Sequence, residues 1–363
     1  MKHAITLAVA ATLALTTASI AQEAETPAPS PGEIVNAASQ DEWVIIDPED
    51  LVVMTLPPLE DGTERKVVMQ LISEPFSQGW VENIRTLARA RYWDGSAILR
   101  VQDNYVVQWG QPDPDMGVEA KPVPAGLNVM DEGDYTADTI DVNLAWNNRP
   151  LTEENRADYG NMDWSQNEDP AFHNTSPDVQ STQTSGTFAG WHQRDSYAEW
   201  VEFFRGWPVA TEGESGDAPW WPVHCYGMVG VGRNMSPDTG DGSQLYTVIG
   251  HAPRHLDRNI AVVGRIIEGI EHLSSLPRGK GPLGFYEDES KRVPIVSVRI
   301  GADLPQAEQP RFEYLATDSE SFARYTDARA NRRDPFFIVP AGGADICNIP
   351  VPVRRFEIVA EEG

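Results

Sequence analysis

Tyr92-Trp93-Asp94-Gly95-Ser96-Ala97-Ile98-Leu99-Arg100-Val101-Gln102-Asp103-Asn104-Tyr105-Val106-Val107-Gln108-Trp109-Gly110 holds the pattern around which the rest of the chain is arranged. Asp94-Gly95 signals a turn and Ile98 to Val101 a short strand; Asp103-Asn104 signals a second turn and Tyr105 to Gln108 a second apolar strand. Arg100 is the odd residue. A guanidinium keeps its charge and its donors, so a short apolar strand accommodates it only where a carboxylate or a carbonyl meets it. Taken alone, the strand favours a structural arginine paired with a buried acid.

Outward from this stretch the chain reads as mainly β. Asp50 to Leu56 and Lys66 to Ile72 are β-rich runs, with Glu60-Asp61-Gly62 as the turn between them. After Pro75, Ser77 is placed to cap a helix running to about Arg91, whose Val81, Ile84, Leu87 and Ala88 share one face. Further on, Tyr226 to Val231, Gln244 to Ile249, Ile260 to Ile267 and Pro294 to Ile300 are apolar β-like runs, and Gly269 to Leu276 is a short helix. Alternation of strand and helix is missing and no internal repeat is present. A closed barrel with its two ends covered by helices fits this order, since closure removes exposed sheet edges. The Gly-rich loop Gly232 to Ser243 lacks the Lys-Ser/Thr and the following helix of a phosphate cradle.

Residues 111–223 differ in character. They carry seven of the eleven Trp and 21 acids against five bases, about −16 of the −27 formal charge. So many aromatics imply a packed excursion rather than disorder. Its clearest helix is expected from Ser196, capped with Glu199, to Gly206, with Tyr197, Trp200, Val201 and Phe204 on one face. Residues 303–363 read as a tail with a polar helix near Asp318 to Arg332 and short β-like runs at Phe336 to Val339 and Arg354 to Val359.

The first 21 residues have the form of a secretory signal: Lys2 and His3, an apolar Ala4 to Leu15, and Ser19-Ile20-Ala21 as the cleavage pattern. A dozen apolar residues fall short of a bilayer of ~30 Å, so no stable membrane insertion is expected. The expected product is periplasmic or secreted, freed near Ala21 and starting with a flexible linker over 22–42. Its strongly acidic balance argues against nucleic acid as a partner. Cys225 and Cys347 are the only cysteines; in an oxidising compartment such a distant pair reads as a disulfide tying the tail to the core. His224, His251 and His255 lie near one another in sequence, but Pro253 argues against a helix aligning the last two, and neither a metal nor another cofactor is expected.

Four pieces in one order carry a family resemblance. Asn83-Ile84…Leu87, Tyr92…Asp94-Gly95-Ser96, Arg100-Val101, Val107-Gln108 and Gly110 form the first. Gly242-Ser243-Gln244-Leu245-Tyr246, then His255-Leu256-Asp257, then Val262-Val263-Gly264-Arg265-Ile266-Ile267-Glu268-Gly269-Ile270 follow. Together they resemble the cyclophilin-type peptidyl-prolyl isomerases over roughly residues 51–110 and 226–300. The resemblance implies a closed eight-stranded antiparallel barrel capped by two helices, occupying 43–302 and interrupted by a large inserted segment, with a C-terminal extension beyond. It implies Arg100 as the catalytic residue and Tyr105, Val106, Gln108, Gln244, Tyr246, Leu256, His255, Ile260 and Val263 as substrate-binding positions. The sequence departs from the family at Ile98-Leu99, where Phe-His is usual, at Trp109, at Val229-Gly230, at His255, where Trp is common, and at Ile260, where a pocket His is common.

The implied chemistry needs neither nucleophile nor proton transfer. Rotation about an X-Pro bond breaks amide conjugation against a barrier of ~18–20 kcal/mol. In the twisted state the imide nitrogen gains a lone pair, which a fixed cation stabilises more than it stabilises the planar amide. The implied partners are unfolded or partly folded proline-containing polypeptides, and the implied role is assistance to the folding of exported proteins. The competing readings are a binding protein that lacks catalysis and works through the Trp-rich acidic insertion, and an envelope-associated structural protein.

Overall fold

The computed structural model describes residues 27–110, 121–160, 195–213 and 218–356, so the expected signal segment lies outside the described residues. In chain order the strands are β1 (Trp43–Ile45), β2 (Leu51–Leu56), β3 (Arg65–Leu71), β4 (Ala97–Val101), β5 (Val106–Gly110), β6 (Trp200–Phe204), β7 (Trp207–Thr211), β8 (Trp220–Pro222), β9 (Met228–Val231), β10 (Leu245–Val248), β11 (Val262–Glu268), β12 (Val293–Pro294), β13 (Ser297–Ile300), β14 (Phe312–Leu315) and β15 (Val353–Arg355). The helices are α1 (Pro31–Ala37), α2 (Gln78–Arg89), α3 (Thr139–Trp146), α4 (Glu153–Gly160), α5 (Glu271–Ser274) and α6 (Glu320–Ala330).

Nine strands form the main antiparallel sheet in the order β12-β4-β5-β10-β9-β11-β3-β2-β13. A closed eight-stranded barrel was expected; the sheet instead has nine strands and two ends. Its two end strands are halves of one segment. β12 pairs with β4, and after Ile295 and Val296 the same segment continues as β13 on β2. At the switch Ile295 N–H donates to Ser96 O and Val296 N–H to Thr55 O. Pro294, which lacks an N–H, ends the first half. The curled sheet encloses the main core, where Trp80 of α2 and Trp93 and Trp109 are almost fully buried.

α2 begins where the sequence placed it, but Ser77 does not cap it: this residue sits at φ 54° and makes no side-chain bond to the helix. The apolar spacing is realised, with Val81, Ile84 and Leu87 all buried. Asn83 on the same helix donates to Asn128 O and Asp241 O, and the indole of Trp80 donates to Gly240 O, fixing the Gly-rich loop against the helix.

Three further expectations fail. The segment following Ser196 is a hairpin, β6–β7, rather than a helix, because Arg205-Gly206 turns with both residues at positive φ (46° and 84°), the geometry of a two-residue hairpin turn. Gly206 therefore closes a hairpin instead of ending a helix. The linker over 22–42 is ordered in its described part: Ser30 and Glu33 form a capping box for α1, Ser39 and Glu42 form another, and Ile34 is buried. α1 packs on α6, and β1 joins β14 and β15 in a separate three-stranded sheet, so the N-terminal segment and the tail make one unit. Finally, Phe336 to Val339 is not a strand but an exposed irregular run, whereas α6 and β15 fall close to the tail elements expected.

The described part of the insertion is packed. β6, β7 and β8 form a sheet of their own, with Trp207 and Trp221 buried. Three arginines of the chain that returns to the main sheet grip it. Arg265 donates to Gly206 O at 2.8 Å, Arg258 lies 4.5 Å from the Trp221 ring centroid, and Arg254 pairs with Asp195. Among the described residues Arg265 has only neutral acceptors, Gly206 O and Gln70 Oε1, and burial pulls the pKa of its guanidinium down to about 10. Cys225 and Cys347 form the disulfide, joining the start of the returning barrel chain to the tail.

Candidate active site

One extra residue in β4 decides where Arg100 points. Ile98 lies opposite Trp109 and Arg100 opposite Gln108, so Leu99 is a bulge with no partner on β5. Strict alternation from Ile98 would turn Arg100 inward; the bulge resets the parity. Ile98, Val101, Val107 and Trp109 consequently all join the enclosed core, while Arg100 and Gln108 share the outer face.

On that outer face Arg100 is held by three neutral oxygens. Nε donates to Leu283 O at 2.6 Å, Nη1 to Gln108 Oε1 at 3.2 Å, and Nη2 to Gln102 Oε1. The rings of Tyr105 and Phe285 flank the guanidinium, at 5.7 and 5.5 Å from their centroids. Among the described residues no carboxylate pairs with it, which overturns the plain expectation of a buried acid partner. Burial lowers its pKa, against the pull of Tyr105 and Tyr246, and in turn raises that of Tyr105. The amide of Gln108 is oriented at both ends: its oxygen accepts from Arg100 and its Nε2 donates to Gln244 Oε1 at 3.0 Å.

Beside this polar row lies a small apolar cluster, separate from the main core. Val106, Tyr246 and Val248 are buried in it, with Tyr105, Leu256 and Ile260 half-exposed around them. Tyr246 stands opposite Gln108 across the β5–β10 ladder and opposite Gly230 across the β10–β9 ladder. Gly230 is required there, since a Cβ on it would lie 2.3 Å from the Tyr246 hydroxyl oxygen. The departure at Val229-Gly230 thus makes room for the tyrosine ring. His255 is exposed and stacks on Tyr105 with centroids 6.2 Å apart.

The structure therefore brings together Arg100, Tyr105, Val106, Gln108, Gln244, Tyr246, Leu256, His255 and Ile260 on one outer face. Val263 is not among them: it is fully buried and packs in the enclosed core. Gln102, Leu283 and Phe285, the supports of Arg100, escaped the sequence reading, since a lone Gln and a Pro-Leu-Gly-Phe turn carry no pattern that assigns them. His224, which the sequence offered only as one of three neighbouring histidines, is buried beneath the cluster, with Nε2 2.9 Å from the Tyr246 hydroxyl.

A family model described as cyclophilin type peptidyl-prolyl cis-trans isomerase/CLD matches residues 79–300, more than half of the chain. The chain belongs to the cyclophilin family. Among solved structures, cyclophilin AquaCyp293 from Hirschia baltica matches with a TM-score of 0.56 and 21% identity, covering 88% of this chain and 98% of that one. That likeness is one of fold. A cyclophilin type peptidyl-prolyl cis-trans isomerase of Cryptosporidium parvum, solved in the presence of the dipeptide Ala-Pro, matches at 12% identity with a TM-score of 0.33, covering 69% of this chain and 97% of that one. No curated protein matches. Cyclophilins act on proline-containing peptides, and the outer face of this cyclophilin sets a cation and two amides beside an apolar cluster.

Proposed function

We propose that this cyclophilin isomerises X-Pro bonds in unfolded or partly folded exported polypeptides, with Arg100 as its catalytic residue and Tyr105, Val106, Gln108, Gln244, Tyr246, Leu256, His255 and Ile260 as its substrate-binding face. The observation that carries the proposal is the guanidinium of Arg100, fixed on neutral acceptors and uncancelled by a carboxylate among the described residues. Such a charge is available to the lone pair that forms on the proline nitrogen as the amide twists, and it needs no reorganisation to act. The apolar cluster beside it suits a proline ring and excludes water from the field of the cation. A thousandfold acceleration asks only ~4 kcal/mol of this arrangement. Export rests on the N-terminal signal pattern and on Cys225–Cys347, a bond suited to an oxidising compartment.

The test is cis-to-trans isomerisation of a proline tetrapeptide by the intact protein and by Arg100→Ala. The wild type is expected to accelerate the reaction and the variant to run close to the buffer rate. Two proteins indistinguishable from buffer would refute the enzyme.

A further inference from the structure

Beneath the Tyr246 ring runs a chain of buried polar groups for which isomerisation itself has no use. The Tyr246 hydroxyl lies 2.9 Å from His224 Nε2, and His224 Nδ1 lies 2.9 Å from Asp257 Oδ1, which also accepts the His224 backbone N–H at 3.0 Å. Asp257 Oδ2 accepts from Arg254 Nε at 2.6 Å. Arg254 in turn holds Asp195 in a two-point fork, Nη1 to Oδ2 at 2.7 Å and Nη2 to Oδ1 at 3.1 Å. The side chains of His224, Asp257, Arg254 and Asp195 are only 1%, 6%, 2% and 2% exposed. Asp195 belongs to the insertion; the other three belong to the barrel chain.

Two features make this more than a set of satisfied polar groups. First, the carboxylate of Asp257 only accepts, so it fixes a proton of His224 on Nδ1 and leaves Nε2 to face the Tyr246 hydroxyl. The Tyr246 ring is thereby held from below by its own hydroxyl and lies flat over Gly230, where no side chain competes. Second, the turn that carries Arg254 and Asp257 also carries Leu256 and Ile260, which flank the ring in the outer cluster. The one short turn thus carries Arg254 and Asp257 on the side of the insertion and Leu256 and Ile260 on the substrate face, so whatever anchors the one pair places the other.

We propose that Asp195, Arg254, Asp257 and His224 are positioning residues: through them the insertion locks the Tyr246 ring and the Leu256–Ile260 turn in place, and so sets how tightly the face grips proline. The proposal rests on the isomerase reading for its functional consequence, while the lock itself is a physical arrangement that is measurable without turnover. Buried ion pairs and hydrogen-bonded histidines of this kind couple strongly, since removing one member leaves the next unpaired in a low dielectric. Arg100 lies outside the chain, so the lock bears on binding rather than on the charge that acts in the twisted state.

The experiment compares Asp195→Asn, Tyr246→Phe and the double variant. kcat and KM are measured with a proline tetrapeptide, and the Tyr246 hydroxyl proton is followed by NMR. In the wild type that proton is expected to exchange slowly. Each single substitution is expected to raise KM by about fivefold or more with kcat within about twofold, and the double variant to be no worse than the weaker single, since both cut one chain. Asp195→Glu is expected to restore most of the binding, and Asp195→Asn to lose the slow hydroxyl proton. Tyr246→Phe removes a single oxygen and keeps the ring, so it tests the lock even where Asp195→Asn unfolds. KM unchanged in both single variants, KM increases that multiply in the double variant, or a slow hydroxyl proton that persists in Asp195→Asn would each overturn the proposal. A wild type inactive on the peptide refutes the isomerase reading instead; the lock is then decided by the hydroxyl proton alone, upheld by its loss in Asp195→Asn and overturned by its persistence.

Discussion

The two faces of the β5–β10 pair are built from alternating residues of the same strands, yet they obey different rules. Inward, Val107, Trp109 and Leu245 meet Ile98 and Val101 in an enclosed apolar core. Outward, Val106, Gln108, Tyr246 and Val248 share their surface with a guanidinium held by amides and a carbonyl. The inner face is built of apolar side chains, whereas the outer face keeps a charge that no carboxylate among the described residues neutralises. A single bulged residue, Leu99, lets one arginine leave the first environment for the second. The pleat thus divides the core from the face proposed for the chemistry, and substitutions on the two faces should separate stability from turnover.

The largest effect is expected away from both faces. Reducing Cys225–Cys347 opens a loop of 122 residues and should lower stability by ~5 kcal/mol in the chain-entropy account, read as a shift of the denaturant midpoint. Trp109→Ala, on the inner face, should cost ~3–5 kcal/mol by the same readout. Arg100→Lys, on the outer face, should leave the midpoint nearly unmoved but lower kcat/KM by about 100-fold, or ~3 kcal/mol, because an ammonium cannot span the three acceptors that fix the guanidinium. If Arg100→Lys instead destabilised the fold while sparing turnover, the division between faces would fail. Gly230→Ala sharpens the contrast: its methyl would displace Tyr246 and should cost ~1–3 kcal/mol of stability while also weakening peptide binding, seen in the two assays together.

The smallest effect concerns pH. Asp94 receives a two-point bond from Arg299, both contacts at 2.8 Å, which ties the turn before β4 to β13. This bond holds its carboxyl below the ordinary range, although partial burial opposes the shift. A depressed acid contributes stability that is present above the unfolded value of ~3.9 and is lost as pH falls through the folded one. Asp94→Asn should therefore lower the melting temperature slightly at pH 7, by ~0.5–1 kcal/mol equivalent, and the difference from wild type should vanish in acid.

What could be read from the sequence was local or carried by resemblance. The spacing of Val81, Ile84 and Leu87 announced α2, and the ordered pieces around Arg100, Gln244 and Leu256 implied the outer face. Three kinds of information were out of reach. Parity hid in the bulge, since Ile98-Leu99-Arg100 contains nothing that marks Leu99 as bulged. Turn chemistry misled at Gly206, where a glycine after an aromatic run ends a helix or closes a hairpin equally well, and Arg205 gave no sign of its positive φ. Long-range polar partners are invisible by nature: Arg254 and Asp195 are 59 residues apart, and only folding tells that one satisfies the other. Val263 was misplaced for a related reason, because a β-branched residue in a motif block suits either side of a sheet.

The pairing of β1 with β14 and of β14 with β15 has a mechanical consequence. Because the opening and closing segments of the described chain lie in one three-stranded patch, a load applied across the two ends would be taken up there and by the Cys225–Cys347 link. The curled sheet, and the arginine on its outer surface, would feel the pull only after that patch had sheared.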